Sequence, residues 1–167
     1  MTYSRILGSG RYLPKRILTN SDLENIVETS SEWIITRTGI EQRHAAGEDE
    51  FTSDLCVEAA KKALKDAKIS ISDIDMIFVG TTTPDLIFPN IATIIQHKMG
   101  IPACPCYAIE AACSSFVYAL NAADKFIRCG EAQKVLVIGA EIITKLVDWK
   151  DRNTCILFGD GAGAVIL

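Results

Sequence analysis

The sequence predicts an α/β fold in which layered helices cover both faces of a mixed, largely parallel sheet. Three observations predict it. Short apolar runs bounded by Gly or Pro recur along the chain, as buried strands do. Between them the apolar spacing changes to that of amphipathic helices. Strands and helices then alternate, which argues for parallel strands joined by crossover helices, with ligands expected at the carboxyl ends of the strands. No linker, repeat or low-complexity stretch divides the 167 residues, so they read as one domain.

The first strand is expected over residues 6–13. The stretch from Thr19 to Gly47 is less regular and carries two start signals, Ser21 with Glu24 and Thr29 with Glu32. Each fits a capping box, which predicts two short helices. Thr52-Ser53-Asp54 opens a helix in which Leu55, Ala59, Ala60, Ala63, Leu64 and Ala67 recur at helical spacing. A strand over residues 76–80 follows, then a helix from Asn90 through Ile91, Ile94, Ile95 and Met99 to Gly100. A strand over 106–109 leads into a third helix, from about Ser114 through Phe116, Leu120, Ala123 and Ile127 to Gly130. Strands over 135–139 and 164–167 complete the pattern. The chain stops on the apolar run 162–167, with nothing polar after it to face solvent, which predicts that it is cut from a longer protein.

Composition narrows the function classes. At 49% hydrophobic and 23% charged, with 11 Gly and 5 Pro, disorder, collagen and coiled coil are excluded. A domain of this length buries roughly 70% of the surface its unfolded chain exposes, so it needs no disulfide or metal to fold. Seventeen Lys plus Arg against 21 Asp plus Glu argue against a nucleic-acid partner. The first ten residues lack a charged region followed by a long apolar run, and no apolar stretch approaches the roughly 18 residues of a spanning helix. The expectation is a cytoplasmic protein with no membrane partner. The six cysteines form no CxxC pair, and the single CxC, Cys104 to Cys106, has no second half, so no metal site is expected.

Gly8-Ser9-Gly10 has Leu13 where a dinucleotide fingerprint needs its third glycine, and no Gly-Lys-Ser/Thr phosphate loop occurs. The run Phe158-Gly159-Asp160-Gly161-Ala162-Gly163 precedes a strand rather than a helix, so it reads as a tight turn with close backbone packing.

Cys113 stands out because it is expected at a strand-to-helix turn. The positive end of a helix favours thiolate over thiol and is one way to activate a nucleophile. Its neighbours Ala111, Ala112, Ser114 and Ser115 are small enough to leave room for a substrate carbonyl. A buried packing thiol fits the same position equally well, and neither His44 nor His97 has an evident reason to lie near it. Trp33 and Arg37, four residues apart on a predicted helix, share a face on which an indole and a guanidinium grip a phosphorylated aromatic ligand. Their spacing by itself favours an ordinary surface pair.

Several separated motifs resemble one family. They are Thr29-Ser30-Ser31-Glu32-Trp33-Ile34-Ile35-Thr36-Arg37-Thr38-Gly39-Ile40, then Ala111-Ala112-Cys113-Ser114-Ser115-Phe116, then Asp151-Arg152-Asn153-Thr154 leading into the glycine run at 158–163. In order and spacing they resemble β-ketoacyl-acyl-carrier-protein synthase III, a thiolase-like condensing enzyme that initiates fatty acid synthesis. The resemblance covers the whole chain and implies the amino-terminal half of a duplicated fold, with the carboxyl-terminal half, and the family's catalytic His and Asn, outside residues 1–167.

The resemblance implies an acyltransferase in which Cys113 takes an acyl group, acetyl in the first instance, from acyl-CoA as a thioester. The acyl group is then condensed with malonyl-acyl-carrier protein, with decarboxylation. Acyl-CoA is a substrate, and no cofactor is implied. By the same resemblance Trp33 and Arg152 hold the adenine of coenzyme A, Thr29 and Arg37 lie beside its nucleotide part, and Phe88 reaches across a homodimer to bound the partner's acyl pocket. Trp33 and Arg152 are expected to frame one end of a channel to Cys113, the strand over 135–139 to lie at or near the dimer interface, and the isolated chain to be inactive. Ala108, where many relatives have an acidic residue, and Ser115, where many have glycine, depart from the pattern and bear on the starter acyl group. The alternatives are another thiolase-fold condensing enzyme of specialised metabolism, and a catalytically silent domain that binds coenzyme A or dimerises.

Overall fold

The computed structural model describes residues 3–167. They form two compact units. The first comprises residues 3–12, Phe51–Glu141 and Ala162–Leu167. It is built on a five-stranded sheet in the order β1-β7-β6-β4-β5, from β1 (Gly8–Tyr12), β4 (Met76–Gly80), β5 (Cys106–Ile109), β6 (Val135–Ile142) and β7 (Asp160–Ile166). β4 pairs in parallel with β5 and β6, whereas β1 pairs antiparallel with β7. Val135 and Leu167 exchange both backbone hydrogen bonds, at 3.1 and 3.0 Å, the mark of an antiparallel pair. Four strands thus run one way and β7 the other, and the carboxyl ends of β4, β5 and β6 share one edge.

Helix α5 (Ser115–Cys129) covers one face, its Ala119, Ala123 and Ile127 packing with Met76, Phe78, Val135 and Val137. Ile77, Val79, Leu136 and Ile138 alternate with these along β4 and β6 and are fully buried. Helices α3 (Thr52–Ala67) and α4 (Ile91–Met99) pack together and against β1, β4 and β5 to supply the second helical layer. The glycines of the Gly8-Ser9-Gly10 run serve this packing. A Cβ on Gly10 would lie 2.2 Å from the Ala59 carbonyl oxygen, and one on Gly8 2.3 Å from the Ala67 nitrogen, so only glycine lets β1 lie this close to α3.

The second unit, Leu13–Glu50 with Ile142–Gly161, holds a two-stranded antiparallel sheet of β2 (Arg16–Thr19) and β3 (Gln42–Ala45). It also holds the short helices α1 (Asn20–Glu24), α2 (Ser31–Thr38) and α6 (Arg152–Cys155). Leu18, Leu23, Ile34, Cys155 and Ile156 form its core. Two short helices do occupy residues 19–47, with different caps from those expected. Thr19 caps α1 in a reciprocal box with Asp22, and the Ser30 hydroxyl accepts from the Trp33 N–H at 3.1 Å to cap α2. Among the described residues no helix is long and apolar enough to cross a membrane.

Candidate active site

The catalytic candidate lies in the first unit. β5 ends at Ile109, and Ala112–Ser114 form a single 3-10 turn before α5 starts at Ser115. Cys113 therefore sits in the turn that feeds the helix, one residue earlier than a helix start at Ser114 would place it, and is exposed. Two features build the turn. Ala112 holds φ at 47°, a left-handed conformation costing a non-glycine residue about 1 kcal/mol or more. Ser115, only 2% exposed, turns its hydroxyl inward to accept the Ala111 N–H at 2.8 Å. The Ser115 side chain is thus part of the turn itself.

Glycines seat that turn on the sheet. Gly80 of β4 and Gly139 of β6 are register partners. A Cβ on Gly80 would come within 2.7 Å of the Ser115 carbonyl carbon and 2.8 Å of the Phe116 nitrogen. One on Gly139 would meet the Phe116 side chain at 3.1 Å. The start of α5 therefore rests directly on sheet backbone, at the carboxyl ends of the parallel strands. The helix is buried along one face only, since Val117 and Tyr118 are exposed.

The carboxylate of Glu141, near the end of β6, accepts from the Thr82 N–H at 2.8 Å and from the hydroxyls of Thr82 and Thr83 at 3.1 and 2.7 Å. Asp85 accepts from the backbone and hydroxyl of Ser53. These bonds pin the loop after β4, from which Leu86, Ile87 and Phe88 project. Ile87 is fully exposed and Phe88 is 87% exposed. β6 lies between β7 and β4 with Val135 to Ile138 fully buried, leaving β5 as the sheet edge beyond β4.

The second unit gathers the ligand-binding candidates. The Arg37 and Arg152 guanidinium carbons lie over the Trp33 ring, 4.9 and 4.8 Å from its centroid. Neither arginine forms an ion pair among the described residues. Arg152 donates instead to the Glu28 carbonyl at 3.3 Å, beside Thr29, whose hydroxyl oxygen is buried without a hydrogen-bond partner among the described residues. Two cations without ion-pair partners among the described residues, both against one indole ring, suit a ligand that is planar and anionic.

The sequence reading passed over two buried groups in this unit. Asp160, within the glycine run, accepts from the Ala46 N–H at 2.7 Å and from the Thr144 N–H and hydroxyl at 2.9 and 2.5 Å. Its role is to hold backbone, and a lone Asp within a Gly-rich run is the one local sign of it. Arg43 is 4% exposed, and burial pushes its guanidinium below its ordinary value. The His44 Nδ1 is engaged by the Pro14 carbonyl at 2.6 Å, and His97 is exposed on α4. Among the described residues no three His, Cys, Asp or Glu side chains are grouped to hold a metal.

A five-stranded, mostly parallel sheet with helices on both sides, and a cysteine-bearing turn at the carboxyl ends of its parallel strands, is the thiolase-like fold. Within it, residues 107–167 match the family model described as 3-oxoacyl-[acyl-carrier-protein] synthase III. The chain is 56% identical to the β-ketoacyl-[acyl-carrier-protein] synthase III of Xanthomonas oryzae pv. oryzae over 99% of its length and 51% of that protein. It is equally similar to the enzyme of the same name from Thiobacillus denitrificans, covering 53% of it. The crystal structure of 3-oxoacyl-[acyl-carrier-protein] synthase III from Aquifex aeolicus VF5 superposes with a TM-score of 0.94 at 51% identity, covering 97% of this chain and 52% of that one. A priming β-ketosynthase from the R1128 polyketide pathway gives 0.95 at 36% identity, over 98% of this chain and 49% of that one. The resemblance to β-ketoacyl-acyl-carrier-protein synthase III holds over the amino-terminal half of that enzyme, and the chain spans about half the length of the curated relatives it matches.

Proposed function

We propose that this chain is the nucleophile-bearing half of a condensing enzyme that starts fatty acid synthesis. The observation that carries the reading is the exposed Cys113 in a strained turn at the carboxyl edge of the sheet. The Cys113 sulfur attacks the thioester carbonyl of acetyl-CoA, the carbon–sulfur bond to coenzyme A breaks, and the acetyl group stays on Cys113 while coenzyme A leaves as its thiol. Malonyl-acyl-carrier protein then loses carbon dioxide. Its carbanion attacks the acetyl-cysteine carbonyl, giving the β-ketoacyl-carrier protein and freeing Cys113.

Coenzyme A is held through its adenine at Trp33 and Arg152, with Thr29 and Arg37 at its phosphate-bearing part. The cations over Trp33 support this reading, because they lack carboxylate partners and match an anionic nucleotide. The engaged ring of His44 and the outward place of His97 support assigning the base and the oxyanion donors to residues outside this chain, so the chain alone does not condense. Its docking face for the carboxyl-terminal half includes Val117 and Tyr118 of α5. The protein acts in the cytoplasm as a homodimer, with Phe88 in the partner's acyl pocket. The exposed Leu86-Ile87-Phe88 run supports this.

The 36% identity to a polyketide priming enzyme keeps a specialised condensing enzyme as the second reading. The deciding experiment supplies the full-length protein with acetyl-CoA and malonyl-acyl-carrier protein. Acetoacetyl-carrier protein and carbon dioxide are expected, and both disappear in Cys113→Ala. A protein that binds acetyl-CoA but forms neither product is a silent binder, and one that accepts only longer starters belongs to specialised metabolism.

A further inference from the structure

The second unit contains a buried cation that the proposed chemistry does not use. Arg43, on β3, donates through Nε and Nη2 to the Ile156 carbonyl at 3.1 and 2.5 Å, and through Nη1 to Oδ1 of Asn20 at 2.6 Å. No carboxylate neutralises it among the described residues. A buried charge without a counter-charge is costly, and an apolar residue would pack there more cheaply unless the guanidinium does something an apolar side chain does not.

What it does is join two helices. Ile156 is the carboxyl cap of α6, the helix that starts with Arg152. Asn20, itself 3% exposed, uses its amide to donate to the Ile40 carbonyl at 2.9 Å and the Ser31 hydroxyl at 3.4 Å. Ser31 is the first residue of α2, and Ile40 follows the Gly39 that caps its end. One Asn–Arg pair therefore grips both ends of the helix bearing Trp33 and Arg37 and the end of the helix bearing Arg152.

We propose that Asn20 and Arg43 are positioning residues that set the distance between Trp33 and Arg152, and thereby the affinity for the purine nucleotide of the acyl donor. The inference rests on the coenzyme A reading given above. An inserted purine needs about 3.5 Å on each face, about 7 Å between indole and guanidinium. The Arg152 guanidinium carbon stands 4.8 Å from the centroid of the Trp33 ring. The Arg152 side chain therefore swings out by about 2 Å while the backbone of α6 stays anchored. Without Arg43 both helix ends are free to drift, and the ordering of the site is added to the cost of binding.

The test uses the full-length protein and two acetyl donors, acetyl-CoA and acetyl-N-acetylcysteamine, which carries the thioester without the nucleotide. Coenzyme A affinity is measured by titration calorimetry, and acetylation of Cys113 by intact mass. For Arg43→Gln the Kd for coenzyme A is expected to rise at least tenfold and KM for acetyl-CoA with it, while the rate from acetyl-N-acetylcysteamine stays within twofold. Arg43→Lys recovers part of the affinity. Asn20→Ser, which keeps the cation, gives a several-fold loss and serves as the reporter if Arg43→Gln does not fold. Unchanged coenzyme A affinity in the folded variants overturns the proposal, and so does an equal loss with both donors, which marks a general structural role. If the unaltered protein itself binds no coenzyme A, the underlying reading fails before the variants are compared.

Discussion

Gly80→Ala tests whether the sheet backbone sets the position of Cys113. The new Cβ would stand 2.7 Å from the Ser115 carbonyl carbon and 2.8 Å from the Phe116 nitrogen, both main-chain atoms that cannot rotate away. Reaching an ordinary contact of 3.4 Å requires the start of α5 to retreat by about 0.7 Å, carrying the 112–114 turn with it. Overpacking of this kind costs about 1–3 kcal/mol of stability. Misplacement of a reacting group by about 1 Å costs up to about a hundredfold in rate, so a retreat of this size predicts a loss of about tenfold or more. Gly163→Ala is the control, because its Cβ meets nothing within 4 Å. The assays are the rate of Cys113 acetylation from acetyl-CoA, followed by intact mass, and the thermal midpoint by calorimetry. A Gly80→Ala protein that acetylates at the unaltered rate with an unshifted midpoint would show that the sheet backbone does not set the position of Cys113.

Trp33→Ala is expected to weaken coenzyme A binding about tenfold or more, since stacking on a base contributes roughly 1–3 kcal/mol, and unchanged affinity by calorimetry would remove Trp33 from the site. Alkylation with iodoacetamide at pH 8, mapped by peptide mass, should modify the exposed Cys113 and Cys129 first. Burial pushes up the thiols of Cys56, Cys104, Cys106 and Cys155, that of Cys106 to about 11, so Cys106 gains thiolate and reactivity only as the pH is raised toward that value. Early loss of the Cys106 thiol near neutral pH contradicts its placement. Sedimentation of the full-length protein at micromolar concentration should show a dimer that Phe88→Glu weakens, and a monomer would defeat the role given to Phe88.

The parts of the fold that could be read in advance are those where one short stretch holds the whole signal. The strands over 76–80 and 106–109 are apolar runs with clear punctuation, and the structure places them at those residues. Asn90 and Gly100 flank α4 as its caps, as their residue types require. The β2–β3 pair was not legible, because each strand has only four residues and the helices between them separate the partners. The start of α1 was read two residues late, at Ser21 with Glu24, which fall inside the helix that Thr19 caps with Asp22. Asn20 and Arg43 carry no motif at all, because their meaning lies in hydrogen bonds spanning up to 113 positions.

The site divides the same way. Cys113 was visible as the end of an apolar run meeting a helix, though position alone did not separate nucleophile from packing thiol, and its exposure in the structure favours the former. The approach of Arg152 to Trp33 joins residues 119 positions apart, and no spacing rule reaches that far. Only the likeness of separated motifs to a known family pointed to it.

The most direct test of the central claim is acetyl transfer to Cys113. The full-length protein incubated with acetyl-CoA, without malonyl-acyl-carrier protein, is analysed by intact and peptide mass spectrometry. One acetyl group per chain is expected, on Cys113, released by hydroxylamine and absent from Cys113→Ala. No acetyl uptake, or equal uptake in Cys113→Ala, would contradict the claim.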